Sequence, residues 1–296
     1  MNRLADGAKD SAPRTVCVCL DDFGLHTGVN QAAMTLVEMH RVQAIGCLVG
    51  ARAWNGWGSP LRRVADQGVD VGLHLDFTEC PLLSTKPCPL HSLIVRTMLK
   101  RVDVAGIRDE IRAQLDRFER LVGRAPSFVD GHQHVHQLPV IRDELVRELS
   151  RRYAEQHPWL RQTRSVSISC GTPFLKPRLI ELLGSQRLSK LSKATGFEQN
   201  RRLLGVYDFH RASGRYRDWL IEWLRASRSG DLLMVHPSTS HSTADRIAVA
   251  RRSEFEALSS DEFDGLLQAF NIELVAMSAQ YRATPIGSHG PMPPDS

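Results

Sequence analysis

Short apolar runs alternate with longer amphipathic stretches from about residue 15 to residue 276. Thr15–Leu20 (TVCVCL), Ala44–Val49, Val69–Leu75 (VDVGLHL), Ser127–Asp130, Ser165–Cys170, Leu232–Val235 and Ile272–Ala276 have the length of buried strands. Between them the period changes. Ile107, Ile111, Leu115, Phe118 and Leu121 recur at steps of four and three, the stripe of a helix that Pro126 closes. Helical spacing also marks Asn30 to His40, the segment with Ile141, Leu145, Val146 and Leu149, Lys176 to Leu188, the segment with Trp219, Leu220, Trp223 and Leu224, and Asp261 to Phe270. Residues 189–204 follow neither period.

Strand and helix alternating this often predict parallel strands joined by helical crossovers. The strand count favours a distorted (β/α) barrel, TIM-barrel-like, over an open doubly wound sheet. The first strand also runs into Asp21-Asp22-Phe23-Gly24, not into a glycine-rich phosphate turn. One catalytic domain over residues 14–282 is expected, with flexible tails at 1–13 and 283–296. A chain of 296 residues buries about three quarters of its unfolded surface, so it needs no metal or disulfide to fold. A bound metal would therefore serve chemistry.

The ionisable residues that stand out follow strands. Asp21 and Asp22 end the first, His74 lies in the third, Asp130-Gly131-His132-Gln133-His134-Val135-His136 follows the fourth, and His236 follows LLMV. All fall at strand C-termini, the pole on which such barrels build their sites. Taken singly each has a plain alternative: a turn or helix cap for the aspartates, a packed histidine for His74 and His236, a helix cap for His136. In an extended segment His132, His134 and His136 would share one face. A carboxylate with two imidazoles is a ligand set for one divalent ion, here Asp22, His74 and His132. Asp130 is placed to orient an imidazole, Asp21 to take a proton from water and His236 to deliver one. The same triad also serves iron oxygenases, and phosphoesterases share such scaffolds, so these alternatives stand, as does a sugar- or metal-binding protein without catalysis.

Charge changes this picture little. Thirty-eight basic residues oppose 33 acidic ones for a net +5, with no polybasic run, so nucleic acid is not an expected partner. The basic stretches, Arg151, Arg152, Arg161 and Arg164 and then Arg246, Arg251 and Arg252, read as solvated helix faces, or as attraction for an anionic substrate or headgroup. Six cysteines without a C-x-x-C pair, three of them (Cys17, Cys19, Cys47) in strand-like runs, read as reduced thiols packed as small hydrophobes. The N-terminal residues lack the apolar core of a secretory signal and no 18 apolar residues run together, so a soluble, cytoplasmic protein is expected.

The runs DDFGLHTGVN, GLHLDFTE, DGHQHVH and VHP, with SEFEALSSDEFDGLL near the end, resemble the YdjC-like carbohydrate deacetylases (the ChbG/HpnK group) in order and spacing, from about residue 15 to 276. The resemblance implies a distorted barrel and metal-dependent removal of acetyl groups from N-acetylated sugars. It implies Asp22, His74 and His132 as ligands of one divalent ion (zinc or magnesium, with manganese, cobalt or iron open), Asp21 as base and His236 as acid. Arg161 or Arg164 corresponds to an arginine that contacts substrate or steadies the base; His134 and His136 join Asp130 as outer or substrate contacts. The implied partner is a small-molecule or lipid-linked N-acetylated sugar, the latter compatible with peripheral membrane contact, and homodimer assembly is compatible too. Trp54, Trp57 and Phe77 are candidates to stack on a pyranose. Departures from the family pattern are Cys19-Leu20 before the aspartates, Cys80, Gly131 and a second strand without hydroxyls. They predict a lost polar contact beside the site and a pocket unlike a chitooligosaccharide-specific one.

Overall fold

The computed structural model describes residues 12–84, 87–166, 175–209, 214–240 and 245–283. Eight strands lie within them: β1 Arg14–Phe23, β2 Ala44–Cys47, β3 Asp70–Leu75, β4 Phe128–Gly131, β5 Trp159–Leu160, β6 Leu203–Leu204, β7 Asp231–Val235 and β8 Ile272–Leu274. The helices are α1 Thr27–Glu38, α2 Gly58–Asp66, α3 Leu90–Met98, α4 Val104–Val122, α5 Ile141–Arg152, α6 Leu175–Leu182, α7 Ser185–Thr195, α8 Tyr216–Ala226, α9 Ala248–Ser259, α10 Asp261–Ala269 and α11 Met277–Ala283. Strand order is β5-β4-β3-β2-β1-β7-β6, with β8 also on β1, and every pairing is parallel. The irregular chain after β5 reaches the other end of this path: Leu203 N–H donates to Arg164 O and Val166 N–H to Leu203 O.

Strand alternation explains the closure. Even positions of β1 (Val16, Val18, Leu20) pack in the large cluster with the helices. Odd positions Cys17 and Cys19 meet Ala44, Phe128, Trp159, Leu203, Leu232 and Met234, which come from β2, β4, β5, β6 and β7. Only a sheet curled on itself gathers residues from both its ends. The architecture is thus the distorted parallel (β/α) barrel expected, and Asp21 stands on the inward column above Cys17 and Cys19.

Three local expectations change. Of Ser165–Cys170, Ser165 makes a single bridge to Leu203, and residues 167–170 lie outside the described ones. The strand forms upstream at Trp159–Leu160, where the Trp159 ring stacks on Phe128 at 4.3 Å and its Nε1 donates to Asp70. The helix expected over Lys176–Leu188 is two, broken at Gly184 (φ +148), where a Cβ would lie 2.1 Å from Gln137 O. Residues 189–204 comprise the end of α7, an irregular stretch over 196–202 and β6. The striped helix α4 holds, with Asp103 capping its start, but it ends on left-handed Gly123, before Pro126. Tail residues 1–11 and 284–296 lie outside the described ones. Among the described residues no helix is long and apolar enough to cross a membrane.

Candidate active site

In a regular strand consecutive side chains point to opposite faces, so Asp21 and Asp22 could not share a site. A register shift between Leu20 and Phe23, with Asp22 at φ +68, breaks the alternation. Both carboxylates then reach the same pole. Asp22 Oδ1 lies 3.4 Å from His74 Nε2 and 2.9 Å from His132 Nδ1. Asp22, His74 and His132 each offer a ligand atom within 4.8 Å of the others. His74 and Asp130 are register partners on β3 and β4, and His74 Nδ1 meets Asp130 Oδ1 at 2.6 Å.

The imidazole run does not lie extended. Residues His132–Gln137 form a 3-10 turn interrupted by left-handed Gln133 (φ 52) and His134 (φ 61). The three rings therefore do not share a face, a correction to the alternating reading. His132 reaches the site; His136 is buried with Nε2 at 3.0 Å from Arg161 O, and half-buried His134 leaves Nδ1 without a hydrogen bond. Glycine at 131 belongs to this turn, because a Cβ there would stand 2.7 Å from His136 N.

Arg161 is fully buried, not part of a solvated face. Its guanidinium grips both oxygens of Asp21 at 2.6 Å, reaches Asp130 Oδ2 at 2.6 Å and donates to Cys19 Sγ at 2.9 Å. The polar contact expected to be lost with Cys19 is thus kept by its thiol. Arg164 is exposed and joins the barrel through its backbone, so Arg161 is the arginine on the aspartate. His236 Nε2 stands 3.9 Å from Asp21 Oδ2 on the opposite wall.

Charge states follow these contacts. Burial works against the charged form of His74, but Asp130 and Asp21 outweigh it and raise its pKa to about 10. His132 is likewise raised, burial being overcome by Asp22. Asp22 and Asp130 are held below the usual carboxylate range against their burial, chiefly by Arg251 and by Arg161 respectively. For His236 burial wins and the pKa falls to about 4.

Several participants escape a sequence reading. Arg251, read as solvated, is 2% exposed and donates to Asp22 Oδ2 at 2.6 Å. Glu254 accepts from the His236 backbone N–H and from Tyr207 Oη, and burial raises its pKa to about 7. Glu79 Oε1 lies 3.4 Å from His132 Nε2 and accepts from Gln133. A stripe of Ala250, Arg251, Glu254 and Leu258 at helical spacing was the available signal for the first two. Trp54 is not available to a sugar: it is 1% exposed and stacked on Phe118. Trp57 sets its edge on Phe23, while half-buried Phe77 packs against the core.

A profile of YdjC-like proteins matches residues 15–269. Carbohydrate deacetylase of Mus musculus is 33% identical over 135 residues, 41% of this chain and 43% of that protein. Chitooligosaccharide deacetylase of Serratia marcescens is 26% identical over 196 residues, 60% of this chain and 76% of that one. The chain thus spans under half the length of the mouse relative. A crystal structure from Enterococcus faecalis V583, provisionally named for cellobiose-phosphate cleavage, superposes with TM-score 0.66 at 18% identity, over 91% of this chain and 99% of that one. That likeness concerns the fold alone. The profile match over residues 15–269 carries more: this chain belongs to the YdjC-like protein family.

Proposed function

We propose that the protein is a metal-dependent hydrolase that removes the acetyl group from an N-acetylated sugar, an oligosaccharide or glycolipid, releasing acetate and a free amine. The carrying observation is the donor cluster of Asp22, His74 and His132 beside a second, Arg161-held carboxylate. The names of the mouse and Serratia relatives support the substrate class.

The donors suit an ion. Two ligands about 2.1 Å from one centre sit roughly 3.0–3.4 Å apart, the separations Asp22 Oδ1 keeps from the two imidazoles. Each imidazole also has a carboxylate at its other nitrogen, Asp130 for His74 and Glu79 for His132, the arrangement that orients metal-bound histidine. The Glu79 contact, at 3.4 Å, is the looser of the two. A divalent ion held there supplies a Lewis acid for the amide carbonyl and a water of lowered pKa. An imidazole-rich set suits zinc better than magnesium.

The remaining chemistry belongs to side chains. Asp21, oriented by Arg161, accepts the water proton as the oxygen attacks the amide carbon. His236, neutral at pH 7, takes on Nε2 the proton that Asp21 accepted from water and gives it to the departing amine nitrogen as the C–N bond breaks. A site that disfavours imidazolium makes that transfer easy. Acetate release is to be measured from N-acetylglucosamine oligomers, acetylated glycolipids and nucleotide sugars, with chelator and with added zinc or magnesium. Equimolar acetate and amine, lost with chelator and restored by ion, is expected. Oxygen consumption, phosphate release or no acetate from any of them would sink the proposal.

A further inference from the structure

Helix α9 turns charge inward. Arg251 and Glu254, one helical turn apart, are 2% and 0% exposed on the stripe completed by Ala250 and Leu258. Burying such groups is costly unless every polar atom is engaged. Here they are engaged with the site. Arg251 donates Nη2 to Asp22 Oδ2 and Nε to Asp245 Oδ2, both at 2.6 Å, and Nη1 to His236 O at 3.3 Å. Its own carbonyl accepts from Ser238 N–H at 3.1 Å. Glu254 accepts from the His236 N–H through one oxygen and from Tyr207 Oη through the other. The His236 residue is thus gripped at both backbone polar atoms, and the guanidinium holding its carbonyl also holds Asp22.

We propose that α9 is the positioning brace of the site: Arg251 turns Asp22 so that Oδ1 faces His74 and His132, and Arg251 with Glu254 sets His236 opposite Asp21. This rests on reading Asp22 as an ion ligand and His236 as the proton donor. Neither brace residue reaches the reacting atoms. Arg251 spends Asp22 Oδ2, which leaves the other oxygen toward the two imidazoles. A lysine there could reach one of the three partners, not all. At 254 a glutamine still accepts from His236 N–H through its carbonyl and can donate its amide to the Tyr207 hydroxyl, which also accepts. A methionine keeps the length of the side chain and removes both acceptors.

The test combines calorimetric titration with zinc chloride, NMR of the His236 imidazole, and kcat and KM for acetate release, with thermal unfolding as the check on folding. Arg251→Gln is expected to weaken zinc binding by about tenfold or more, and Arg251→Lys by less. Should Arg251→Gln fail to fold, the lysine variant carries the test. Glu254→Met is expected to leave zinc affinity unchanged, shift the His236 resonances and lower kcat by up to about a hundredfold at constant KM. Glu254→Gln, which can keep both hydrogen bonds, should regain much of that kcat. Zinc binding that is unaltered in both Arg251 variants, or a Glu254→Met protein with wild-type kcat and His236 resonances, overturns the brace. Wild-type protein that binds neither zinc nor magnesium overturns the ligand reading itself, and the brace with it.

Discussion

His74 and His236 face the same oxygen, Asp21 Oδ2, from opposite walls at 4.0 and 3.9 Å. Both rings are buried. Yet one holds a proton up to about pH 10 and the other releases it near pH 4. The shared carboxylate cannot cause that difference. Their other neighbours do: His74 Nδ1 meets Asp130 at 2.6 Å, whereas His236 Nδ1 is 4.0 Å from Glu254 Oε1 and its ring lies near the cationic Arg251 and His74, which oppose a proton there. Glu254 is also raised to about 7 by burial, so its charge is incomplete near neutrality. A direct carboxylate contact overcomes desolvation; one at arm's length does not.

Replacing the shared partner has the largest expected effect. Asp21→Asn should keep divalent-ion binding and lose turnover by about 10²–10⁴-fold, the range of general base catalysis. Calorimetry and acetate release check the two halves, and lost ion binding would reverse the roles of Asp21 and Asp22. Next comes the contact that separates the two rings. Asp130→Asn removes a charge from His74 and from Arg161 together. Breaking a buried pair of this kind costs about 3–5 kcal/mol, readable by urea unfolding. The His74 midpoint, followed by NMR, should fall toward that of His236; a midpoint that stays near 10 would break the comparison.

The same contrast sets the pH dependence of the ion-free protein. His74 is raised above its unfolded value of 6.5, so its stabilisation is full below pH 6.5 and lost as pH rises toward about 10. His236 and His136 are lowered to about 4, both chiefly by burial. Their stabilisation is present above pH 6.5 and lost as pH falls through 4. Urea midpoints should therefore decline on both sides of pH 6.5, and Asp130→Asn should flatten the alkaline side while lowering His136 further on the acid side. Ion binding at pH 7 should also expel protons from His74 and His132, seen as a buffer-dependent heat.

Much of the first wall was legible because short apolar runs end abruptly in Asp21-Asp22, His74 and Asp130, and strand ends share a pole. On the second wall His236 was legible as the residue after LLMV, but what holds it was not. Arg161 and Arg251 sit among other arginines, and a count of charge cannot distinguish a guanidinium in water from one folded onto two carboxylates. The run HQHVH suggested an extended ladder because its turn depends on two successive left-handed residues, Gln133 and His134, a conformation uncommon outside glycine. Strands β5 and β6, two residues each, are too short to show a period.

The smallest effect is also the finest discriminator. Tyr207 packs its ring against Trp219 at 5.1 Å and Phe209 at 4.7 Å, contacts that phenylalanine retains. Tyr207→Phe should thus cost about 1 kcal/mol by urea unfolding, from the lost hydrogen bond to Glu254. That bond opposes the burial that lifts Glu254, so without it the carboxyl moves above about 7 and carries less charge at neutral pH. His236 then faces a weaker partner, and its midpoint should stay near 4 or fall, never rise. Asp130→Asn pushes His74 in the same direction by a larger step, because the lost charge was in direct contact. A His236 midpoint that rises in Tyr207→Phe would mean that its proton is governed by ring packing, and the explanation of the two walls by their carboxylates would fail.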